Sequence, residues 1–208
     1  MAESKKYIIE LTNDCNLRCE MCPRNYIDME IGYMSEETWK DTLHNIPMDS
    51  TILPFWRGES TLHPDFCMMM EDLAEYKEVV ITTNGTNSNL IINVLPYLSV
   101  VNVSIHGIGS YEGYLKIREY ANGTKVIASR VEGELPFTAN RIYKMHTTDG
   151  VWGKVDGMNG PPTKVCSRLS ETVIAWNGDR GRCCYVWDTS AQNSVCDTCD
   201  QWVSDRTL

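Results

Sequence analysis

The sequence predicts an α/β fold: an open partial (βα)6 barrel of parallel strands, followed by a small cysteine-rich C-terminal subdomain. Through the first two thirds of the chain, apolar runs typical of strands alternate with stretches of helical spacing. A closed eight-stranded barrel takes about 250 residues, and only roughly 145 residues show this alternation. Five of the nine cysteines stand after residue 160, where helical periodicity has ended. We therefore expect a barrel domain over residues 1–146 and a separate module over residues 147–208.

Six apolar runs mark the predicted strands, at residues 7–11, 52–56, 79–83, 100–105, 125–131 and 141–145. Between the runs, apolar residues recur at helical spacing after residues that favour helix starts. Three helices are predicted in this way, with apolar faces formed by Trp39, Leu43 and Ile46 after Ser35, by Phe66, Met69, Met70 and Leu73 after Pro64, and by Leu90, Ile91, Val94, Leu95 and Leu98 after Ser88.

Composition narrows the possible functions. The chain has 208 residues, 42% of them hydrophobic and 23% charged, which is ordinary for a globular protein. Its net charge of −9 argues against a nucleic-acid partner, because phosphates require a basic footprint. Residues 1–6 are polar and show neither a secretory signal nor a membrane span, so we expect a cytoplasmic protein with no membrane partner. Without a signal, many cysteines indicate metal or redox chemistry rather than disulfides.

Three cysteines follow the first predicted strand in the string CNLRCEMC, as Cys15, Cys19 and Cys22. Soft thiolates are the ligands that iron–sulfur clusters prefer. Three thiolates on a four-iron cluster leave one iron without a protein ligand. The alternative is a zinc site, although zinc sites usually show two cysteine pairs.

This spacing, with the apolar Met21 before the last cysteine, resembles the radical S-adenosylmethionine (radical SAM) enzymes. The resemblance implies that Cys15, Cys19 and Cys22 hold a [4Fe–4S] cluster whose open iron binds SAM, and that Met21 contributes to the cofactor site. It also implies reductive cleavage of SAM to a 5′-deoxyadenosyl radical that abstracts hydrogen from a substrate. A one-electron donor such as flavodoxin or ferredoxin would supply the electron.

Motifs at the ends of the next strands resemble that family in the same order. The string RGES resembles the GGEP motif, with Arg57 and Ser60 departing from it, and implies that Gly58 and the Glu59 carboxylate bind the SAM ammonium group. The string TTNGT resembles the TNG segment and places Asn84 at the cofactor.

The string SIHG resembles the SLDG segment, and implies that Ser104 binds the SAM carboxylate or ribose. His106 stands where Asp is common in that segment, so it is the candidate catalytic residue facing the substrate; a structural hydrogen-bonding role is the alternative. Arg130 is a candidate partner of the SAM carboxylate, since a guanidinium group suits that geometry, with a surface salt bridge as the alternative.

The tail contains a Gly- and Pro-rich loop, a hairpin signal at residues 176–179 and five cysteines. Its spacing resembles the SPASM and twitch extensions of one branch of radical SAM enzymes. Five cysteines suffice for one auxiliary [4Fe–4S] cluster, as in a twitch module, with the ligands Cys166, Cys183, Cys196 and Cys199. Cys184 adjoins Cys183, and which of the two binds stays open. A four-cysteine zinc site is the alternative.

These resemblances imply an oxidoreductase that consumes SAM, abstracts hydrogen from a peptide or small polar metabolite, and passes an electron to the auxiliary cluster. The alternatives are a radical SAM epimerase, a maturase that forms carbon–carbon or thioether cross-links in a peptide, and a non-enzymatic iron–sulfur or zinc-binding protein. The residues do not identify the substrate.

Overall fold

The computed structural model of the protein describes residues 5–19, 22, 24, 28–131, 140–143, 164–166, 171–181 and 202–204. Within these residues, eight strands form one sheet in the order β6-β5-β4-β3-β2-β1-β8-β9, and two strands pair separately. The sheet strands are β1 (Lys6–Ile9), β2 (Thr51–Leu53), β3 (Glu78–Thr83), β4 (Val100–Ile105), β5 (Lys125–Val131), β6 (Arg141–Tyr143), β8 (Glu171–Ile174) and β9 (Arg180–Gly181). The separate antiparallel pair is β7 (Lys164–Cys166) with β10 (Trp202–Ser204).

In the described part of the eight-stranded sheet, all neighbours from β6 across to β8 are parallel, and β9 runs antiparallel to β8. Parallel pairing requires crossover connections, and within the described residues four helices supply those between β1 and β5. They are α1 (Glu36–His44), α2 (Phe66–Asp72), α3 (Ser88–Val94) and α4 (Ile108–Tyr120). The predicted start of α1 is confirmed, because the Ser35 side chain accepts a hydrogen bond from the Thr38 N–H at 3.1 Å.

The two faces of the sheet differ in character. Ile81, Val101 and Ile105 are buried on the helix-covered face and belong to the same core as Ile91 and Val94 of α3. Residues on the second face alternate with them along each strand. At β3, β4 and β5 this second face carries the polar side chains of Thr82, Asn102, Ser104 and Ser129 together with the apolar side chains of Val80, Val100 and Ile127. Apolar burial on one face therefore holds the helices, while the other face mixes hydrogen-bonding groups with apolar side chains.

The predicted α/β class and the parallel strand order are confirmed, with strand ends shifted by a few residues. The strand predicted at 52–56, for example, ends at Leu53. Closure into a partial barrel stays a prediction. Within the described residues, no helix has both the length and the apolar character needed to cross a bilayer.

The structure adds a feature to the sheet that the sequence did not indicate. Strand β8, from the predicted tail module, pairs in parallel with β1, and the Glu10 N–H continues this pairing by donating to the Ile174 oxygen at 2.8 Å. The hairpin signal at 176–179 is confirmed, because β8 and β9 are antiparallel and Gly178 has φ +88° in the turn. The boundary after residue 146 stays a prediction, but residues 171–181 contribute to the main sheet.

Candidate functional site

The cysteine loop begins where β1 ends, at the carboxyl edge of the sheet. Asp14 organises its start: one carboxylate oxygen accepts the Cys15 N–H at 2.8 Å, and the other accepts the Tyr33 hydroxyl at 2.7 Å. The Cys22 N–H donates to the Cys19 oxygen at 2.8 Å, which closes a turn between the second and third cysteines. Local hydrogen bonds thus fix the start of the loop at Cys15 and bring Cys19 and Cys22 into one turn. Met21 lies outside the described residues.

The electrostatics of these thiols suit a cationic partner. Burial raises the pKa of the Cys15 thiol, and a Leu17 N–H directed at its sulfur at 3.5 Å opposes that effect. Burial also raises the pKa of Cys19, and the neighbouring Cys22 and Cys15 raise it further. Three adjacent thiolates in this loop would repel one another unless iron balanced their charge. The donor set therefore fits an iron–sulfur cluster.

Among the described residues, no group of three or more His, Cys, Asp or Glu side chains is arranged around a single metal ion. A four-iron cluster does not require its ligands to converge on a single metal ion, because each thiolate binds its own iron atom.

Gly58 brings the loop after β2 against the backbone of the cysteine loop. A Cβ atom at this position would collide with the backbone oxygens of Thr12 and Asp14, so only glycine fits without displacement of the chain. The next residue completes the contact, because the Glu59 N–H donates to the Asp14 oxygen at 2.7 Å. The RGES string thus lies directly beside the first cysteine of the loop.

The Glu59 carboxylate joins the ends of β2 and β3. It is 3% exposed and accepts hydrogen bonds from the hydroxyls of Thr61 and Thr83, both at 2.8 Å, and from the Asn84 N–H at 2.7 Å. Burial raises its pKa, and these donors act in the opposite direction by stabilising the charged form. In this structure Glu59 orients two neighbouring loops, and its predicted contact with the SAM ammonium stays a prediction.

Asn84 connects the end of β3 to the cysteine loop. Its amide Nδ2 donates to Asn16 Oδ1 at 2.8 Å and lies 3.9 Å from Cys15 Sγ. Its Oδ1 accepts from the backbone and hydroxyl of Thr86, at 3.0 and 2.6 Å. The structure therefore brings together Cys15, Gly58, Glu59 and Asn84, which the sequence predicted for one site.

A buried ion pair that the sequence did not predict lies at the same edge. Arg57 donates from Nε to Glu10 Oε1 at 2.7 Å and from Nη2 to Oε2 at 2.6 Å. Glu10 is fully buried, and its Oε2 also faces the Trp176 N–H at 3.3 Å. The available sequence signals were an acidic residue inside an apolar strand and an arginine in place of the first glycine of the motif. The pair joins β1, the loop after β2 and the β8–β9 turn.

Three other residues were predicted for the site, namely Ser104, Arg130 and His106. Ser104 pairs in register with Ser129, while Arg130 pairs with Ile105. Because adjacent positions alternate, Ser104 and Arg130 project to opposite faces of the sheet. His106 follows β4, and burial lowers its pKa, which favours the neutral imidazole.

The tail cysteines can be placed only in part. Cys166 ends β7, and its backbone pairs with that of Trp202 in β10. Cys183, Cys184, Cys196 and Cys199 lie outside the described residues. The predicted auxiliary site therefore stays a prediction.

The chain has an α/β fold with a parallel-dominated sheet, and this fold is similar to that of two solved structures. A crystal structure of BtrN in complex with AdoMet and 2-DOIA is similar with a TM-score of 0.65 and 18% identity, over 88% of this chain and 74% of that chain. A structure of BtrN in an open conformation is similar with a TM-score of 0.57 and 16% identity, over 90% of this chain and 73% of that chain. At these identities the likeness concerns the fold.

One curated protein matches part of the sequence. It is the tungsten-containing aldehyde ferredoxin oxidoreductase cofactor-modifying protein of Pyrococcus furiosus, 35% identical over 86 residues. The match covers 39% of this chain and 24% of that protein, so it spans about a quarter of the relative's length. No protein-family model matches the chain.

Proposed function

We propose that this protein is a radical SAM enzyme. The observation that carries the proposal is the contact between the cysteine loop and the loop after β2, in which Gly58 lies against the backbone of Thr12 and Asp14. Asn84 adds a link from β3 to Cys15. The order of these groups along parallel strands, on a fold similar to that of radical SAM enzymes, supports the same conclusion.

Each group has a role in the proposed site. Cys15, Cys19 and Cys22 would hold a [4Fe–4S] cluster, which supplies the electron for reductive cleavage of SAM to methionine and a 5′-deoxyadenosyl radical. The backbone oxygens around Gly58 would accept hydrogen bonds from the SAM ammonium group. Glu59 orients this loop through Thr83 and Asn84, and its negative charge adds to the attraction for the ammonium. A flavodoxin or ferredoxin would donate the electron.

The finer part of the proposal concerns the tail. Cys166, Cys183, Cys196 and Cys199 would bind an auxiliary [4Fe–4S] cluster that accepts an electron from the substrate radical after proton loss, so that the substrate is oxidised by two electrons. The pairing of β8 with β1 supports a tail that remains next to the proposed SAM site. The substrate would be a peptide or a small polar metabolite.

The first experiment tests the class of enzyme. Anaerobically reconstituted protein, reduced with dithionite, should convert SAM to 5′-deoxyadenosine and methionine. Cys19→Ala should abolish this cleavage and the SAM-dependent change in the electron paramagnetic resonance (EPR) spectrum. Cys67→Ala is the matched control, because Cys67 is a free cysteine on α2 and should be dispensable. Full cleavage by the Cys19 variant would disprove the assignment.

The second experiment tests the tail. With two four-iron clusters, the reconstituted chain should hold about eight iron atoms. Replacing Cys196 and Cys199 together by Ala should leave about four iron atoms, an intact first cluster by EPR and uncoupled SAM cleavage without oxidised product. Zinc in place of iron in the tail, after growth with both metals available, would rule out the auxiliary cluster. Product in amounts unaffected by the double substitution would rule out its role as the electron acceptor.

A further inference from the structure

Trp176, in the turn between β8 and β9, makes two contacts outside its own hairpin. Its backbone N–H faces Glu10 Oε2 at 3.3 Å, just after β1. Its indole ring lies against Gly32, where an added Cβ atom would collide with three carbon atoms of the ring. Only glycine lets the ring come this close to the backbone. One residue of the β8–β9 turn therefore contacts both the end of β1 and the segment that follows the cysteine loop.

This segment, residues 30–34, is here called the return segment, and hydrogen bonds join it to the start of the cysteine loop. The Gly32 N–H donates to Asn13 Oδ1 at 2.8 Å, and the Thr12 hydroxyl donates to the Gly32 oxygen at 2.7 Å. Asn13 Nδ2 donates to the Glu30 oxygen at 2.7 Å. Thr12 and Asn13 are each 1% exposed, and hydrogen bonds shielded from water in this way are strong.

The same hydrogen bonds continue to the first cysteine. The Thr12 hydroxyl that donates to Gly32 also accepts the Asp14 N–H at 3.0 Å. The Asp14 carboxylate accepts the Cys15 N–H at 2.8 Å and the hydroxyl of Tyr33, from the return segment, at 2.7 Å. An unbroken chain of contacts thus leads from the return segment to Cys15, and the indole ring lies at its far end.

We propose that Trp176 is a positioning residue for the first cluster. By packing against Gly32 and binding Glu10, it holds the return segment where that segment can orient the start of the cysteine loop. It acts through the return segment rather than on the iron atoms. Outer supports of this kind orient metal ligands, and their loss typically weakens metal binding about 10- to 100-fold. The inference rests on the proposed function and goes beyond it, because it makes the first cluster depend on the β8–β9 turn.

The first test follows the SAM-responsive EPR signal, which reports on the first cluster, while a chelator of ferrous iron removes iron from the reconstituted protein. The signal should decay about tenfold faster in Trp176→Ala than in the wild type. Trp176→Phe keeps a ring against Gly32 and should restore most of the wild-type behaviour. Ile117→Val is the control for a general loss of stability, because Ile117 is fully buried on α4. It should lower the melting temperature and leave the decay unchanged. Wild-type decay in Trp176→Ala, or equally fast decay in Ile117→Val, would overturn the proposal.

The second test isolates the contact through a double-mutant cycle. Gly32→Ala introduces the Cβ atom that collides with the indole ring, and should speed the decay of the signal as Trp176→Ala does. In the double variant no ring remains to collide with, so the two effects should not add. Additive effects would show that the residues act independently, and wild-type decay in Gly32→Ala would show that the contact is not needed; either result would overturn the proposal.

Amide hydrogen exchange of the full chain separates this inference from the proposed function. Residues 12–15 and 30–34 should exchange faster in Trp176→Ala than in the wild type, while α4 exchanges at the wild-type rate. Unchanged exchange in both segments would overturn the positioning role. If the wild type neither holds the first cluster nor cleaves SAM, the proposed enzyme class fails, whereas hydrogen exchange still reports on the contact between Trp176 and the return segment.

Discussion

Replacing Arg57, and so breaking its ion pair with Glu10, should lower the free energy of unfolding more than replacing any surface charge of this protein. In Arg57→Met the apolar stem is kept, but both side-chain hydrogen bonds to Glu10 are lost, as is the stacking of the guanidinium group 4.1 Å above the Trp56 ring. The Glu10 carboxylate, with no exposed surface, would keep only backbone N–H donors, at 3.3 Å. A charge left buried in this way is the main source of the expected loss.

Breaking a buried ion pair by removing one partner costs about 3–5 kcal/mol. The full range applies here, because the Arg57 and Glu10 side chains are 10% and 0% exposed. The double variant Glu10→Gln with Arg57→Met should recover most of this loss, since Gln removes the unbalanced charge and still accepts a backbone hydrogen bond. The difference between the single and double variants measures the penalty of the orphaned carboxylate.

Chemical denaturation of the reconstituted protein, followed by tryptophan fluorescence, measures these changes in the free energy of unfolding. Lys40→Met is the matched control, because the Lys40–Glu36 pair is exposed and should contribute little. If Arg57→Met costs less than about 1 kcal/mol, or if the double variant is no more stable than the single one, the pair does not act as a buried charge pair.

Three further predictions follow from the site. Gly58→Ala should displace the cysteine loop and lower the iron bound per chain, measured by metal analysis. Gly109→Ala is the control, because an added Cβ there meets no neighbour and the bound iron should stay unchanged. Equal iron in both variants would contradict the close contact at Gly58. Glu59→Gln should lower the free energy of unfolding by about 1–3 kcal/mol in a denaturation experiment, because an amide NH2 would face hydrogen-bond donors. A variant as stable as the wild type would show that the carboxylate is not needed there. Since the pKa of His106 is lowered by burial, the folded state resists its protonation, and the free energy of unfolding should fall as the pH drops below about 6.5. This fall should be smaller in His106→Gln, and identical pH profiles would refute the shift.

Much of the fold could be predicted from local signals. Alternation of apolar runs and helical spacing identified β1 to β6, because each strand of a parallel sheet is a short buried segment followed by a covering helix. Boundaries were less accurate: the run at 52–56 includes Pro54, which cannot donate to a strand ladder, and β2 ends at Leu53. Helix α4 has a glycine-containing sequence without a clear apolar stripe, and its residues were not identified individually.

The site was predictable where a motif occupies a single loop, and less so where distant segments meet. Gly58, Glu59 and Asn84 follow strand ends in the order that the sequence indicated. The partnership of Glu10 with Arg57 depends on pairing between β1 and β2, and the Trp176 contact depends on β8, which lies far along the chain. Neither contact has a local signature in the sequence. The composition change near residue 146, for example, does not indicate which later segment pairs with the sheet.

The position of β8 beside β1 has a consequence for the order of folding. Strand β1 is synthesised before β8, so the edge that β8 occupies stays open until residues 171–174 have left the ribosome. Until then an apolar strand edge, next to three thiols, is open to pairing with other chains. Chaperone binding and late cluster insertion would protect this stage, and a chain stalled before residue 171 should aggregate more readily than the finished protein.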